Sequence, residues 1–323
     1  MKLVTFKPAE PRPGALIDED VLDFRSAAGS GVGTFDHATI VALLAAGEQA
    51  MADAQAIVDQ VRGDQALAAS LRDAGALLAL ADTRLLAPVP EPKLVICAAS
   101  NYRSHSAEMG TAPPSEPACF IKATTSVTAH AEPIVLPPEA PAMVDYEGEL
   151  CVIIGKTAYR VSEADAMRHV AGYVCGNDVS ARDWVPALRK AGADPAGHPY
   201  PPFLDPGTLN IRFKSFPTFM PTGPALVTAD EVPDPHALRI RTLINGEALQ
   251  DSNTDDLTFN IPQLIAHYSK FFRFEPGDMI CTGSPPGVGI ARNPQVFLKP
   301  GDVVSVEIEG IGTLTNPVIG YEG

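Results

Sequence analysis

The sequence DYEGELCVIIG, residues 145–155, joins a cluster of acidic residues to an uninterrupted apolar run. Side chains alternate along a β-strand, so Glu147 and Glu149 are predicted to project from the same face of one strand. Two neighbouring carboxylates repel each other unless a proton or a cation lies between them. The apolar run after Glu149 indicates that the strand continues into the interior of the protein. A divalent cation would relieve the repulsion, and Mg²⁺ needs only two or three carboxylates plus waters.

A third acidic residue follows the next predicted strand along the chain. Asp178 ends the segment CGND, residues 175–178, and is the obvious partner for Glu147 and Glu149. The sequence therefore predicts a magnesium site formed by these three side chains. The alternative is an exposed strand with three unrelated acids, and the spacing alone favours neither interpretation.

Short apolar runs separated by glycine, proline and aspartate surround this strand from residue 93 onward. They predict strands over residues 94–97, 149–154, 172–175, 238–244, 279–281, 303–308 and 312–318. Helices are predicted over residues 102–109, from Ser162 onward, and over residues 261–271. Asn245-Gly246 between two apolar runs predicts a hairpin turn. Because strands outnumber the helices between them, the pattern favours an α+β, mainly β fold with a mixed, mostly antiparallel sheet.

The first 88 residues differ in composition from the rest of the chain. A short strand-like piece at residues 2–7 is followed by a Pro/Gly-rich turn and an Ala/Leu-rich stretch over residues 36–82. Apolar residues recur there at helical spacing, which predicts two or three packed helices. The segment APVPEP, residues 87–92, breaks any helix. We therefore expect a small helical accessory domain at 1–88 and a larger, strand-rich domain at 93–323.

Charge and composition exclude several classes of partner. The chain has 39 Asp and Glu against 24 Lys and Arg, a formal charge of −15, so its surface repels nucleic acids and anionic membranes. No apolar run approaches the length of a membrane helix, and the N-terminus does not resemble a signal peptide. None of the five cysteines forms a CxxC pair. We expect reduced thiols in a cytoplasmic protein, four of them buried: Cys97, Cys151, Cys175 and Cys281.

A second cluster of polar residues, NYRSHSAE at 101–108, follows the first predicted strand of the larger domain. Positions i and i+3 share a face of a helix, so Glu108 can hydrogen-bond to His105. A histidine oriented by a carboxylate is a competent general base for water. By spacing alone, an ordinary surface ion pair is the more common explanation. The spacing is not HExxH and no cysteine ligand is near, which disfavours zinc.

Three further features are candidates for binding an anion. Lys122 and Lys214 each follow apolar residues, where an ammonium group would balance a substrate anion or a developing enolate, although either could be an ordinary strand-end lysine. The glycine-rich segment TGSPPGVG, residues 282–289, lacks the spacing of a phosphate loop or a dinucleotide fingerprint. It is either a structural turn or a loop that offers backbone N–H groups to a carboxylate.

The segment between Asp183 and Lys214 is rich in proline and glycine and excludes long regular structure. Its aromatic residues, which include Trp184, favour an ordered lid over a flexible linker. We expect Trp184, the single tryptophan of the chain, to lie near the substrate.

Taken in order, these segments resemble the fumarylacetoacetate hydrolase superfamily, in particular its acylpyruvase and 2-oxo-acid hydratase-like branch. The matching segments cover roughly residues 93–320: NYRSHSAE (101–108), CFIK (119–122), DYEGELCVIIGK (145–156), GYVCGNDVSARD (172–183), KSFPTFMPTGPALVT (214–228), NGE followed by Gln250, EPGDMICTGSPPGVG (275–289) and LKPGDVVSVEIEGIGTLTNPV (298–318). The resemblance implies a rolled, mixed β-sandwich, a homodimer, and a Mg²⁺ or Mn²⁺ site.

The resemblance also implies roles for individual residues. It implies that the metal ligands are Glu147, Glu149 and Asp178. It implies that the catalytic residues are a water-activating dyad, His105 and Glu108, and two anion-stabilising lysines, Lys122 and Lys214. It implies that the substrate-binding residues are Tyr102, Arg103, Trp184, Thr282, Gly283 and Ser284. Arg182 and Asp183 match a motif whose role is mainly structural. The chain departs from the usual family pattern at Val185, where glutamine is common, and at Pro217, where aspartate is usual. These departures concern the identity of the substrate rather than the metal site.

The reaction expected from this resemblance is metal-dependent hydrolysis of a C–C bond in a 2,4-dioxo acid, such as an acylpyruvate or a diketo sugar acid. The dyad would activate water, and metal and lysine would hold the pyruvate-like enolate that leaves. The alternative is a hydratase, decarboxylase or keto–enol tautomerase acting on a 2-oxo acid at the same metal site. A catalytically silent scaffold is disfavoured because all the expected polar positions are filled.

Overall fold

A computed structural model describes residues 1–183 and 211–323 of the chain. The strands among these residues are β1 (Lys2–Phe6), β2 (Arg12–Ile17), β3 (Asp20–Asp23), β4 (Leu77–Ala79), β5 (Val95–Ala99), β6 (Ala118–Lys122), β7 (Val127–Ala129), β8 (Ile134–Leu136), β9 (Val144–Asp145), β10 (Gly148–Ile154), β11 (Val170–Asn177), β12 (Ser180–Ala181), β13 (Met220–Thr228), β14 (Arg239–Ile244), β15 (Glu247–Asn253), β16 (Met279–Cys281), β17 (Val303–Ile308) and β18 (Gly312–Gly320). The α-helices are α1 (Phe24–Gly29), α2 (Ile40–Ala46), α3 (Glu48–Gly63), α4 (Gln65–Asp73), α5 (Arg103–Glu108), α6 (Glu163–Ala166) and α7 (Ile261–Tyr268). Trp184 and the predicted lid up to residue 210 lie outside the described residues.

The larger sheet places the acidic strand in its interior. Its strand order is β4-β3-β2-β1-β13-β11-β10-β16-β5-β6, and β7 pairs with β13 beside this path. Neighbours are antiparallel except that β5 is parallel to β16 and β7 to β13. Every residue of β10 is buried between β11 and β16. This position explains why the sequence after Glu149 is apolar at successive positions.

A second sheet, with the order β15-β14-β17-β18-β8, packs against the larger one. Leu150 and Val152 of β10 share a buried core with Ile240 of β14, Val306 of β17 and Leu314 of β18. The two sheets therefore enclose a common apolar layer, as in a sandwich. The predicted α+β, mainly β fold with mixed, mostly antiparallel sheets is confirmed.

The predicted elements of residues 93–323 are present. Both ends of each predicted strand lie within two residues of the corresponding ends of an observed strand. The Ser162 hydroxyl accepts the N–H of Asp165 at 3.3 Å, which caps α6. Asn245 and Gly246 connect β14 to β15 with φ values of 52° and 86°, so the predicted hairpin turn is confirmed. The last predicted helix ends earlier than expected, at Tyr268, after a capping box at its start.

The description of residues 1–88 as helical needs correction. Helices α1–α4 are present, but β1–β4 extend the larger sheet, and Leu3 of β1 pairs with Leu226 of β13. Pro13 and Gly14 made β2 resemble a turn in the sequence. A Cβ atom on Gly14 would lie 2.4 Å from the Leu22 carbonyl oxygen, so glycine is needed where β2 passes close to β3. The domain boundary itself remains a prediction.

Two simpler expectations concern thiols and membranes. Cys97, Cys151, Cys175 and Cys281 are buried and unbridged, as predicted, whereas Cys119 is exposed. None of the helices in the described part of the chain combines the length and the apolar character needed to cross a bilayer.

Candidate metal centre and active site

Three acidic side chains meet where β10 begins. Glu147 directly precedes β10 and Glu149 is its second residue, while Asp178 follows β11, whose last residue Asn177 pairs with Gly148. In antiparallel neighbours, the start of one strand lies beside the end of the other. One carboxylate oxygen from each acid lies within 4.8 Å of the other two. The structure thus brings together the three residues predicted to hold a metal.

The backbone between the two glutamates is fixed by close packing. A Cβ atom on Gly148 would lie 2.1 Å from Thr242 Oγ1 of β14, so a side chain there would clash with the second sheet. The Gly148 N–H donates to Gln250 Oε1 at 3.0 Å, and the Glu147 N–H donates to Asn177 Oδ1 at 3.0 Å. These contacts fix the backbone from which both glutamate side chains project.

Three cationic side chains surround the carboxylates. Lys214 Nζ lies 2.7 Å from Glu147 Oε2 and 2.6 Å from Asp178 Oδ2. Arg182 pairs with Glu147, and Lys122 pairs with Asp178. The charges of the metal-free site are therefore compensated by the protein itself.

The two glutamates differ in their protonation. Burial would raise the pKa of Glu147, but the charges of Lys214 and Arg182 outweigh burial and hold this pKa well below its usual range. Burial and the carboxylates of Asp178 and Glu147 raise the pKa of Glu149 well above its ordinary value. Without a cation, Glu149 therefore holds a proton, which relieves the repulsion between the acids.

The donor chemistry of this cluster fits a hard divalent cation. All three converging groups offer carboxylate oxygens, the ligands that suit Mg²⁺ and Mn²⁺. No imidazole or thiol joins the cluster in the described part of the chain, which disfavours zinc. Glu147, Glu149 and Asp178 would hold the ion, and the ion would displace the proton on Glu149.

A cavity of about 260 Å³ opens beside the carboxylates. Its polar lining consists of Ser100, His105, Thr111, Glu147, Glu149, Arg182, Lys214 and Ser284. Its apolar lining includes Met109, Phe120, Val288 and Ile290. This size and this mixture of charged and apolar walls suit a small organic acid.

The predicted dyad lies at this cavity. His105 Nδ1 is 3.1 Å from Glu108 Oε2, and the other carboxylate oxygen of Glu108 accepts the Gly287 N–H at 2.9 Å. Glu108 is thereby anchored to the glycine-rich loop and in turn orients the imidazole. With its Nδ1–H donated to Glu108, His105 keeps Nε2 available to accept a proton. This arrangement is more than the surface ion pair that spacing alone suggested.

Two predicted substrate-binding residues do not line the cavity. Tyr102 is fully buried. Arg103 donates to the carbonyl oxygens of Leu257 at 2.9 Å and Asp255 at 2.6 Å. Arg103 lies two positions before His105, and residues at that spacing occupy nearly opposite sides of a helix. The prediction that Tyr102 and Arg103 contact substrate is therefore corrected.

The Tyr102 hydroxyl has no hydrogen-bond partner among the described residues, although it is buried. We expect Tyr102→Phe to leave the melting temperature unchanged or to raise it, because removal of an unpaired buried hydroxyl relieves a desolvation cost of about 1–3 kcal/mol. We also expect unchanged KM, since the residue does not reach the cavity. Thermal unfolding and steady-state kinetics test both points, and a raised KM would restore the original interpretation.

The glycine-rich loop contributes two side chains to the cavity, Ser284 and Val288. Thr282 is fully buried and its hydroxyl donates to the Leu150 carbonyl oxygen at 2.9 Å. The Gly283 N–H donates to Glu149 Oε2 at 2.9 Å, so it supports a candidate metal ligand instead of facing the cavity. Ser284 lines the cavity as predicted. The expected substrate contacts of Thr282 and Gly283 are therefore replaced by structural ones.

Lys122 also has a different role from the one predicted. Its side chain is fully buried and pairs with Asp178. It donates in addition to the carbonyl oxygens of Phe219 at 2.7 Å and Val179 at 3.2 Å. Because Lys122 does not line the cavity, it positions Asp178 and does not contact a substrate anion directly.

Arg182 is a site residue whose role the sequence motif understated. Its guanidinium lines the cavity, pairs with Glu147, and lies 3.2 Å from Asp145. Asp145 in turn accepts the N–H groups of Gly289 at 2.7 Å and Ile290 at 3.1 Å. Arg182 thus links Glu147, a candidate metal ligand, to the loop that forms part of the cavity wall. The signal available in the sequence was an arginine four residues after Asp178.

The sequence model of the fumarylacetoacetate hydrolase C-terminal family matches residues 94–319. The chain belongs to this family. The matched region contains every residue that lines the cavity. The suspected resemblance is therefore confirmed, and the chain is identified as an enzyme of the fumarylacetoacetate hydrolase family.

Two relatives and one solved structure show which kinds of enzyme this chain is similar to within the fumarylacetoacetate hydrolase family. A mitochondrial oxaloacetate tautomerase of Xenopus laevis is 43% identical over 75% of this chain and 70% of its own length. A mitochondrial oxaloacetate tautomerase of Rattus norvegicus is 38% identical over 99% of this chain and 92% of its own length. Maleylpyruvate hydrolase from Sphingobium sp. SYK-6, solved with Mn²⁺ and pyruvate, is 27% identical and superposes with a TM-score of 0.68 over all of both chains.

These comparisons overturn one expectation. The cytoplasmic location predicted from the reduced cysteines is wrong by this test, because the tautomerases of Xenopus laevis and Rattus norvegicus are named as mitochondrial proteins. Reduced, buried thiols do not distinguish the cytoplasm from other reducing compartments.

Proposed function

We propose that this chain is a divalent-metal-dependent keto–enol tautomerase that acts on a small 2-oxo acid of the oxaloacetate class. The observation that carries the proposal is that His105, Lys214, Glu147 and Glu149 line one small cavity, with a carboxylate oxygen of Asp178 within 4.8 Å of both glutamates. The name of the two tautomerase relatives supports this reaction over C–C hydrolysis. The Mn²⁺ in the Sphingobium structure supports a divalent ion, and either Mg²⁺ or Mn²⁺ suits the oxygen ligands.

Tautomerisation moves one proton between the carbon next to the 2-oxo group and the oxygen of that group. His105 Nε2 takes the proton from carbon or returns it, while Glu108 stabilises the imidazolium that forms. When bound, a divalent cation supplies Lewis-acid polarisation of the 2-oxo group.

Lys214 stabilises the enolate oxygen. Burial would lower the pKa of Lys214, but the carboxylates of Asp178 and Glu147 raise it above its ordinary value. The side chain therefore remains an ammonium group at neutral pH and acts through its charge. Among the described residues, Glu147 and Asp178 accept hydrogen bonds from two of the three N–H groups of the Lys214 ammonium.

Arg182 and Ser284 complete the polar wall. Burial would lower the pKa of Arg182, but Glu147 and Asp145 raise it above its ordinary value, so the guanidinium stays charged. We assign Arg182 and Ser284 to the substrate carboxylates, which need donors.

The decisive test is the effect of His105→Ala on the conversion of enol-oxaloacetate to its keto form. We expect a loss of about 100-fold or more in kcat, because a general base contributes about 10²–10⁴-fold. Mg²⁺ affinity should not change, since His105 is not a ligand. His169→Ala, at a histidine outside the cavity, is the matched control. A wild-type rate in His105→Ala would refute the assignment of the base.

Hydrolysis of a 2,4-dioxo acid is the second candidate function. It is favoured by the anchored His105–Glu108 dyad, which is equally suited to deprotonate water. The two candidates are separated by assaying the wild-type protein for pyruvate release from a panel of acylpyruvates and for enol-oxaloacetate conversion. Pyruvate release with no tautomerisation would reverse our preference.

The homodimer implied by the family stays a prediction, checked by sedimentation velocity.

A further inference from the structure

We infer that Gln250 is a positioning residue that fixes the Ser284 hydroxyl as a hydrogen-bond donor toward the cavity. This inference rests on the proposed function, because it concerns how the same cavity selects an oxo acid. Gln250 lies on β15 of the second sheet, is fully buried, and reaches the start of β10 from outside the cavity lining.

The orientation of the Gln250 amide is determined by two backbone groups. Its Oε1 lies 3.0 Å from the Gly148 nitrogen, and its Nε2 lies 2.8 Å from the Pro285 carbonyl oxygen. A backbone N–H can only donate and a carbonyl can only accept. A flipped amide would place two donors together at Gly148 and two acceptors together at Pro285, so only one orientation satisfies both.

The second N–H of the Gln250 amide determines the direction in which the Ser284 hydroxyl donates its proton. Gln250 Nε2 donates to Ser284 Oγ at 2.9 Å, so the serine oxygen acts as an acceptor on that side. Among the described residues, the acceptor for the serine proton is the Pro285 carbonyl oxygen at a long 3.5 Å, and this oxygen also accepts from Gln250. Because Ser284 lines the cavity, its proton is available to a ligand.

A hydroxyl held in this way recognises an atom that accepts a hydrogen bond. A carboxylate oxygen of an oxo acid is such an atom, whereas the N–H of an amide or ammonium group is not. Gln250 therefore contributes to the selection of anionic substrates although it does not line the cavity. Its effect on ligand binding acts through Ser284.

The test is a double-mutant cycle on pyruvate binding, measured by calorimetry with Mg²⁺ saturating for each variant. We expect Ser284→Ala to weaken pyruvate binding about tenfold or more, since a hydrogen bond to a charged group is lost. Gln250→Met should cause a comparable loss. The double variant should bind no more weakly than the weaker single variant. Ser284→Thr, which keeps the hydroxyl, should bind like the wild type.

A purely structural role for Gln250 predicts a different result. The two losses would then multiply in the double variant, because they would be independent. If Gln250→Met does not fold, Gln250→Glu replaces it: the carboxylate still accepts from Gly148, but when ionised it also accepts from Ser284 and turns the serine proton away from the cavity. Pyruvate binding should then fall at least as far as in Ser284→Ala. Wild-type affinity in either soluble variant would overturn the inference.

The binding experiment is independent of turnover. Coupling between Gln250 and Ser284 in a protein that does not convert oxaloacetate would refute the proposed function and leave this inference standing. Normal conversion of oxaloacetate without coupling between Gln250 and Ser284 would refute this inference and leave the proposed function standing. Failure of pyruvate to bind the wild-type protein would overturn the inference.

Discussion

Glu149→Gln is expected to lower the affinity for Mg²⁺ by at least about 100-fold while the metal-free protein remains as stable as the wild type. Without a metal, the Glu149 carboxyl is protonated because burial and the acids Asp178 and Glu147 raise its pKa. A neutral glutamine resembles that form in shape and charge, and its oxygen still accepts the Gly283 N–H. The substitution therefore removes an anionic ligand and changes little else.

Calorimetric titration with Mg²⁺ and thermal unfolding measure the two effects. Glu139→Gln, at an exposed position, is the matched control and should change neither. In the wild type, binding should release up to about one proton per ion, because the ion replaces the proton of Glu149. A raised pKa means that the proton competes more strongly at low pH, so Mg²⁺ affinity should increase as the pH rises. Unchanged affinity in Glu149→Gln would show that this carboxyl is not a ligand.

Lys122→Met is expected to destabilise the fold by about 3–5 kcal/mol, because it removes a fully buried cation that compensates the buried Asp178 carboxylate. Lys122 is fully buried, and it is one of two cations paired with Asp178. Its loss also leaves the carbonyl oxygens of Val179 and Phe219 without this donor. Methionine has a similar length but offers no donor to these atoms. Denaturant unfolding of the metal-free protein measures the loss.

Two lysines serve as comparisons for this substitution. Lys156→Met removes an exposed pair with Glu48 and should change the free energy of unfolding by less than about 1 kcal/mol. Lys214→Met removes a group that lines the cavity, and it should reduce turnover in addition to any loss of stability. If Lys122→Met unfolds like the wild type but loses activity, Lys122 contacts the substrate after all, as its sequence context first suggested.

The convergence of the three acids was predictable because it depends on short-range rules. The alternation of side chains places Glu147 and Glu149 together, and the pairing of successive strands brings Asp178 to them. The seven strands predicted in residues 93–323 could be found for the same reason, since each is a short apolar run, whereas β13 and the polar β15 were not predicted. The hydrogen bond between His105 and Glu108 followed from their spacing on one helical turn, whereas a catalytic role for the pair was implied only by the family resemblance.

The parts that could not be predicted depend on contacts between distant segments. The direction of the Lys122 side chain is set by carbonyl oxygens on other segments, at Val179 and Phe219. The same holds for Thr282, whose hydroxyl is occupied by Leu150 of the neighbouring strand. A sequence motif identifies a polar residue near a site, but only the packing decides whether it faces the ligand or supports a residue that does.

The placement of β1 between β2 and β13 matters to anyone who wishes to shorten this protein. A truncated chain that started after residue 92 would expose the β13 edge at Leu226 and Val227, where β1 now pairs. An open apolar edge of this kind invites strand pairing with other molecules and therefore aggregation. Fusion, display or crystallisation of the catalytic half should accordingly retain the first strand, either in place or joined through a redesigned connection.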